Sequence, residues 1–483
     1  MKTAIIGGGV GGMLSALYER QRGHEVVLYE KEATLGGRLA FVERDGFKID
    51  KGPTIVLLPE MIYSILEEVG ITREEVPLTR IDPLYSLHFP DGMTFYKWSD
   101  KEKQYAELNK WFDGETENFD RYLADMKWRF EEGKTAFLDR DFVRKRDFFS
   151  APNLHTLWKL KAYETVKRQA SRYFNHPRLQ EAFSFQTLYI GGAPHGSPAL
   201  YSLVPFSEHY HGIWYVQGGY ASLISLFEKK LRQRGVDIRL ESEVEEFVME
   251  GNRCVAIKTN NKQQEELFDR FIVNGDFPNA EHLVTKQKKS YTPSSGCLLL
   301  YFGLNRTYEE RDVHQFLMTD DFEKHMKEVF DEKTLPSSPS MYVFHPSLID
   351  SSLAPDGKGV MYVLIPVPSG DAVNWDDVDH YIEERIDELE KRAFPDLRDA
   401  IEWMEVRTPK MALQDGLYAG GSFGIAPSLR QSGVFRPQLK PFKFDNVYAV
   451  GASTHPGGGI PIVMQGAKLL ADYIDTEEMV HSW

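Results

Sequence analysis

Two glycine-rich stretches carry the chemistry of this chain, and they lie at opposite ends of it. The first, residues 2–12, reads KTAIIGGGVGG, with Gly7, Gly9 and Gly12 spelling G-x-G-x-x-G behind a short apolar run. Glu30 ends the next apolar run, EVVLYE, 21 residues after Gly9. That is the spacing between a dinucleotide fingerprint and its ribose-binding acid. Gly7 allows the tight turn, Gly9 lets the backbone approach a pyrophosphate, and Gly12 lets a helix pack on the strand. Val10 and Gly11 open that helix, whose free N–H groups and partial positive charge suit phosphates. Glu30 accepts hydrogen bonds from both hydroxyls of an adenosine ribose and repels a 2′-phosphate, which argues against NADP. Lys31 follows it and joins the expected cofactor set.

The second stretch reads DNVYAVGASTHPGGGIPIVMQGAKLLADYI over residues 445–474. A buried strand runs into a small-residue loop, from Gly451, Ala452 and Ser453 through His455 to Gly459. Ile460 and Pro461 then open a helix. A second helix N-terminus, about 440 residues from the first, implies a large ligand. An isoalloxazine ring placed there has its reduced, anionic form stabilised by the helix dipole, which points to FAD over NAD. Two nearer loops extend the same site. Gly36-Gly37-Arg38 brings Gly37 and Arg38 close to a second phosphate or a ring, and Asp50-Lys51-Gly52-Pro53-Thr54 contributes Gly52, Pro53 and Thr54.

The elements that must position these residues give an α/β fold. A Rossmann-like FAD-binding domain is split into residues 1–80, 216–285 and 441–483, with a substrate/helical insertion at 81–215 and a substrate-domain sheet at 286–440. Asp45-Gly46 reads as the turn of a hairpin, and Pro90-Asp91-Gly92 as another. Residues 101–186 are mostly helical and rich in large aromatics. Residues 214–227 repeat a strand, Gly-Gly, helix pattern and return the chain to the α/β layer. Val244 borders an adenine by fold-level analogy. Residues 295–304, 340–344 and 360–367 are apolar strands of a largely antiparallel sheet, and 377–393 is an amphipathic helix.

With 483 residues and a net charge of −15, the chain has no global positive field for nucleic acid. Its two cysteines, Cys254 and Cys297, form neither a disulfide framework nor a C-x-x-C motif, and no metal-ligand pattern occurs. Without a signal peptide or a long apolar run, a reducing cytoplasmic setting is expected. Residues 134–172 hold ten Lys/Arg against four acids, a local +6, interleaved with aromatics and leucines. That pattern suits either a solvated basic face or an anionic lipid interface.

The N-terminal GGGVGG, the GGR loop and DKGPT resemble the FAD signature of the bacterial phytoene desaturase family, and GASTHPGGGIPIV at 451–463 is similar to its C-terminal signature. FQTLYIGGAPHGSPALYS at 185–202 and YVLIPVP at 362–368 look like the thirty-carbon branch, the dehydrosqualene (diapophytoene) desaturases. The resemblance spans almost the whole chain. It implies an FAD enzyme that removes hydrogens from a hydrophobic linear polyene to extend its conjugation, peripherally associated with the inner face of the cell membrane. Many flavoproteins place an acid two residues after the C-terminal strand. Here Gly451-Ala452-Ser453 leaves the ribityl contacts to backbone groups, Ser453 or Thr454.

A hydrocarbon offers no acidic proton, so the flavin must accept a hydride from an allylic C–H. The protein supplies alignment and exclusion of water. No catalytic base is assigned. His455 is a candidate whose structural reading is equally open, and Glu208, His209 and His211 are weaker ones. The sequence shows no second complete fingerprint for NADH, leaving oxygen, a quinone or another electron acceptor. Two further readings are kept: a relative that oxidises a terminal methyl or isomerises a polyene, and a non-catalytic prenyl-binding escort protein.

Overall fold

The computed structural model describes residues 1–261, 266–287 and 289–481. Lys2–Ile6 is an apolar strand, and Val10–Gln21 is the helix that leaves its glycine turn. The strand lies at the centre of a five-stranded parallel sheet in the order Val447–Ala449, Arg270–Val273, Lys2–Ile6, Glu25–Tyr29, Asp237–Arg239. Both faces of this nucleotide sheet are covered, which is why the middles of its inner strands are apolar. Helices Val10–Gln21, Ser222–Gln233 and Ile460–His481 cover one face through Leu14, Leu17, Phe227, Leu231 and Leu470. The three-stranded antiparallel sheet Val244–Glu250, Arg253–Thr259 and Glu266–Leu267 contributes Val244, Phe247 and Ile257 to the core on the other.

A second, larger sheet has seven strands in the order Ile401–Arg407, Gly296–Leu304, Gly359–Val367, Met341–Phe344, His314–Leu317, Tyr85–His88, Thr94–Lys97. It is antiparallel except where His314–Leu317 runs parallel to Tyr85–His88. Every residue of Gly296–Leu304 is buried. The alternation explains this. Leu298, Leu300, Phe302 and Leu304 pack under helix Asp379–Arg392 with Ile382, Ile386 and Leu389. Cys297, Leu299 and Tyr301 face an aromatic cluster with Phe316, Tyr342 and Tyr362. Against that aromatic face lies the helical insertion, including Lys101–Trp111, Thr116–Gly133 and Leu203–His211, while Ala151–Lys159 packs on a small separate core with Phe137 and Phe148.

The hairpin at Asp45-Gly46 forms, pairing Phe41–Arg44 with Phe47–Asp50. One expected strand is placed differently. Ile213–Val216 does not enter the nucleotide sheet; it pairs with Leu78–Ile81 in a two-stranded ribbon. The reason is a polar hub at its end. Asp350 accepts the Tyr215 hydroxyl at 2.8 Å and the Gly218 N–H at 2.7 Å, holding this strand toward the large sheet. Among the described residues no helix is long and apolar enough to cross a membrane.

Candidate cofactor and substrate site

One cavity of about 1460 Å³ runs from the nucleotide sheet to the aromatic face of the large sheet. Single-ligand pockets span roughly 300–1,000 Å³, so this one has room for two molecules.

At its nucleotide end the wall holds Gly7, Gly9, Val10, Gly11, Glu30, Lys31, Gly37, Arg38 and Val244. Gly7 has a φ of 100°, and a Cβ there would stand 2.5 Å from the Asn274 carbonyl oxygen. Gly12 is off the wall. A Cβ on it would meet the Gly7 carbonyl oxygen at 2.1 Å, so its role is close packing of helix on strand. The turn leaves the first N–H groups of Val10–Gln21 without an intrahelical partner, facing the cavity. Glu30 is fixed by the turn itself. The Gly8 N–H donates to its Oε2 at 2.7 Å and the Glu32 N–H to its Oε1 at 3.0 Å. Each oxygen keeps a further acceptor position. The Gly-Gly-Arg loop lies along the same turn, with the Gly36 N–H donating to the Gly8 carbonyl at 2.9 Å. Arg38 Nη2 reaches to 3.7 Å from Asp276 Oδ2.

Gly52, Pro53 and Thr54 line the middle of the cavity. Thr54 Oγ1 and the Tyr342 hydroxyl are 2.8 Å apart. Asp50, just before them, serves the fold instead. It accepts the N–H groups of Tyr220 and Ala221 at 2.9 and 2.8 Å, at the start of Ser222–Gln233, and burial pushes its carboxyl up to about 7.

From the C-terminal stretch, Gly451, Ala452, Gly459, Ile460 and Pro461 line the cavity, so the N-terminus of Ile460–His481 opens into it. Ser453 does not; its side chain turns away. It is 1 % exposed, and its hydroxyl donates to Asp276 Oδ1 at 2.5 Å. Thr454 donates to the Gly451 carbonyl at 2.7 Å. Neither hydroxyl is left for a ribityl chain. His455 borders the cavity but anchors the loop to the insertion. Its Nε2 is 2.8 Å from the Arg140 carbonyl and 3.1 Å from that of Phe137, so Nε2 carries the proton. Burial pulls its pKa down to about 4. Glu208, His209 and His211 are off the wall. Glu208 accepts the Tyr85 hydroxyl at 2.7 Å, and His209 Nδ1 donates to the Trp98 carbonyl at 2.8 Å.

Among the wall residues not expected from the sequence are Asn274, Asp276, Tyr342 and Arg436. Asn274 Nδ2 donates to the Gly7 carbonyl at 3.1 Å, locking the first turn. The Asn-Gly-Asp after strand Arg270–Val273 was a usable signal, since strand ends of a parallel sheet face the ligand. Arg436 belongs to no motif.

Beyond the cofactor end the walls are apolar. Cys297, Leu299, Phe316, Tyr362 and Leu364 face Phe130, Phe185, Leu188, Tyr189 and Leu203 of the insertion. Burial raises the Cys297 thiol to about 12, so it is an inert part of that wall. Leu429 and Phe435 line the cavity while being 54 % and 59 % exposed, and they mark its mouth. Phe435 touches Phe148 and Phe149.

The flavin-containing amine oxidoreductase family matches residues 10–474. A 4,4′-diapolycopen-4-al dehydrogenase of Metabacillus indicus is 53 % identical over 98 % of this chain and 97 % of its own. A 4,4′-diapophytoene desaturase (4,4′-diaponeurosporene-forming) of Staphylococcus aureus is 32 % identical, over 98 % of each chain. The chain belongs to the flavin-containing amine oxidoreductases, in their carotenoid desaturase family. FAD is the cofactor of this desaturase-family oxidoreductase, and the escort reading falls away. Among solved structures, a putrescine oxidase aligns with a TM-score of 0.67 at 12 % identity, covering 99 % of both chains. An oxidoreductase from Methanosarcina mazei aligns at 0.65 and 16 %, covering 98 % of this chain and 100 % of its own. At such identities the likeness is one of fold.

Proposed function

We propose that this flavoenzyme oxidises a linear thirty-carbon carotenoid held in the apolar part of the cavity, with the chain laid against the flavin ring. One observation carries the reading: the glycine-walled cofactor end and the aromatic chamber are a single continuous space. Gly7, Gly9, Val10, Gly11 and Glu30 hold the adenosine and pyrophosphate. Arg38, Gly52–Thr54 and the loop from Gly451 to Pro461 hold the ring end. FAD, when bound, supplies a two-electron acceptor for a hydride. The protein aligns the polyene and excludes water with Phe185, Phe316, Tyr362 and their neighbours. No wall histidine of ordinary basicity is offered by the C-terminal loop, because burial pulls His455 down to about 4.

Two reactions fit this site. The first introduces conjugated double bonds, the desaturation that the Staphylococcus relative is named for, here by loss of hydride and proton from adjacent carbons. The second oxidises a terminal aldehyde of an already conjugated chain to the acid: water adds to the aldehyde at the chain end, and the hydrate gives up a hydride to the two-electron acceptor and a proton to solvent. It is favoured by a specific observation: the relative named for a 4,4′-diapolycopen-4-al substrate is 53 % identical, against 32 % for the desaturase. The test is to give FAD-replete protein, with a dye as terminal acceptor, 4,4′-diapophytoene and 4,4′-diapolycopenal in separate lipid dispersions. Hydrogen loss with red-shifted absorption bands identifies desaturation; gain of one oxygen identifies chain-end oxidation. If neither compound is consumed, the thirty-carbon reading is wrong.

The mouth supports a further part of this proposal, that the protein works at a lipid surface. Phe149, Leu154, Trp158 and Tyr163 are exposed around helix Ala151–Lys159, at 51, 45, 66 and 59 %. Arg144, Lys145, Arg146 and Lys159 are exposed with them. The other aromatics of this segment, Phe137, Phe142 and Phe148, are core, packed with Leu160 and Val434. An apolar patch with a cationic rim suits insertion among anionic headgroups. Co-sedimentation with anionic vesicles but not with neutral ones is the expected result; equal recovery in the supernatant of both overturns it.

A further inference from the structure

A positive charge without a hydrogen-bonded carboxylate is packed against the C-terminal loop. Arg436 is 3 % exposed and lines the cavity beside Ala452 and His455. All of its bonds go to carbonyl oxygens. Nε donates to Thr454 at 3.2 Å, and Nη2 donates to Ala452 at 2.6 Å and Ile425 at 3.5 Å. Nη1 donates to Gln431 at 3.1 Å. Among the described residues no carboxylate forms an ion pair with it. Asp276, the acid nearest in kind on this wall, is already engaged by the Ser453 hydroxyl, the Tyr418 N–H at 2.8 Å and Arg38.

Burying an unpaired cation is costly, and carbonyl dipoles offset only part of that cost. A guanidinium cannot escape by giving up its proton at neutral pH. Two of its four acceptors, Ala452 and Thr454, lie in the loop that precedes helix Ile460–His481. Cation and helix N-terminus therefore act on the same end of the cavity, where the ring end of the cofactor belongs. Reduction of a flavin adds negative charge there, and charge close to the ring tunes its electronics. We infer that Arg436 supplies a fixed positive charge that raises the midpoint potential of the bound FAD. It is a positioning and tuning residue: it shapes the loop through Ala452 and Thr454 and takes no proton itself.

The experiment is a reductive titration of the purified holoenzyme with dithionite and reference dyes, read from the flavin spectrum. In Arg436→Gln with FAD bound, the reduction equilibrium shifts at least tenfold against the reduced form, which is about 30 mV for a two-electron couple. Arg436→Lys keeps the charge and recovers most of that shift. An unchanged potential in FAD-replete Arg436→Gln overturns the inference, since a purely structural role moves stability and not potential. If that variant loses FAD or fails to fold, the wild type decides. Its potential must lie at least the same tenfold, about 30 mV, above that of free FAD; any lower value overturns the inference.

Discussion

Gly12 and His455 show how single residues divide between the cofactor and the fold. A methyl at Gly12 has a carbonyl oxygen 2.1 Å away and nowhere to go. Overpacking of this kind costs about 1–3 kcal/mol, and here the displaced group is the phosphate turn. Gly12→Ala is therefore expected to purify with less than about a tenth of the wild-type FAD, read from the ratio of flavin to protein absorbance. Full FAD content sinks the close-approach argument. His455 makes a pH prediction. Its folded pKa, about 4, lies below the ordinary value near 6.5, so the unfolded chain binds the extra proton first. Its contribution is whole above that ordinary value and is lost as pH falls toward 4. Relative to His455→Gln, the wild type loses about 2 kcal/mol of unfolding free energy between pH 6.5 and 5. Urea melts of both proteins check this, and a constant difference contradicts it. Residues that act by spacing were legible in the sequence: Gly7, Gly9, Glu30 and Arg38 line the wall, and Gly12 packs the helix behind it. Asp276 and Arg436 were not, because each works through partners more than a hundred or several residues away, Ser453 and the loop carbonyls, and neither repeats in a pattern. Ser453 was misplaced for the same reason: a hydroxyl in a cofactor loop reads as a ligand contact until its buried acid is known.

The elements read well where the polypeptide's own periodicity decides and badly where a distant partner does. Gly296–Leu304 and Gly359–Val367 are apolar at every position because both faces are covered, and their composition said so. Ile213–Val216 had the composition of a nucleotide-sheet strand, and Asp350 pulled it into another ribbon. In the insertion the sequence offered one mixed list of aromatics. The fold sorts it into a small core, with Phe142 at 0 % exposure, and an outer set, with Trp158 at 66 %. Leu154 and Trp158 lie on one short helix and touch no part of the cofactor wall. Replacing both with Ser removes about 1.5–3 kcal/mol of insertion energy per side chain. Binding to anionic vesicles should weaken at least tenfold with FAD content unchanged; unaltered binding removes helix Ala151–Lys159 from the lipid contact.

At the scale of the molecule, the cofactor site is assembled from segments far apart in the chain: the first two turns and loops, residues 242–286, and the C-terminal loop. A ligand gripping all of them links their unfolding. Saturation at a thousand times Kd adds about 4 kcal/mol to the folded state. Stripping FAD is expected to lower the melting temperature and speed proteolysis, with recovery on adding FAD and none on adding NAD. Equal rescue by NAD contradicts the assignment of the second anchor to a flavin ring.

The exposed rim of Leu429 and Phe435, continuous with the interior of the cavity, also sets what concentration means for this enzyme. A reactant collected through such a rim is counted per area of bilayer and not per volume of buffer. Adding buffer to a suspension of enzyme and loaded vesicles should leave the rate per enzyme unchanged. Adding empty lipid should lower it in proportion, because the carotenoid is then spread over a wider sheet.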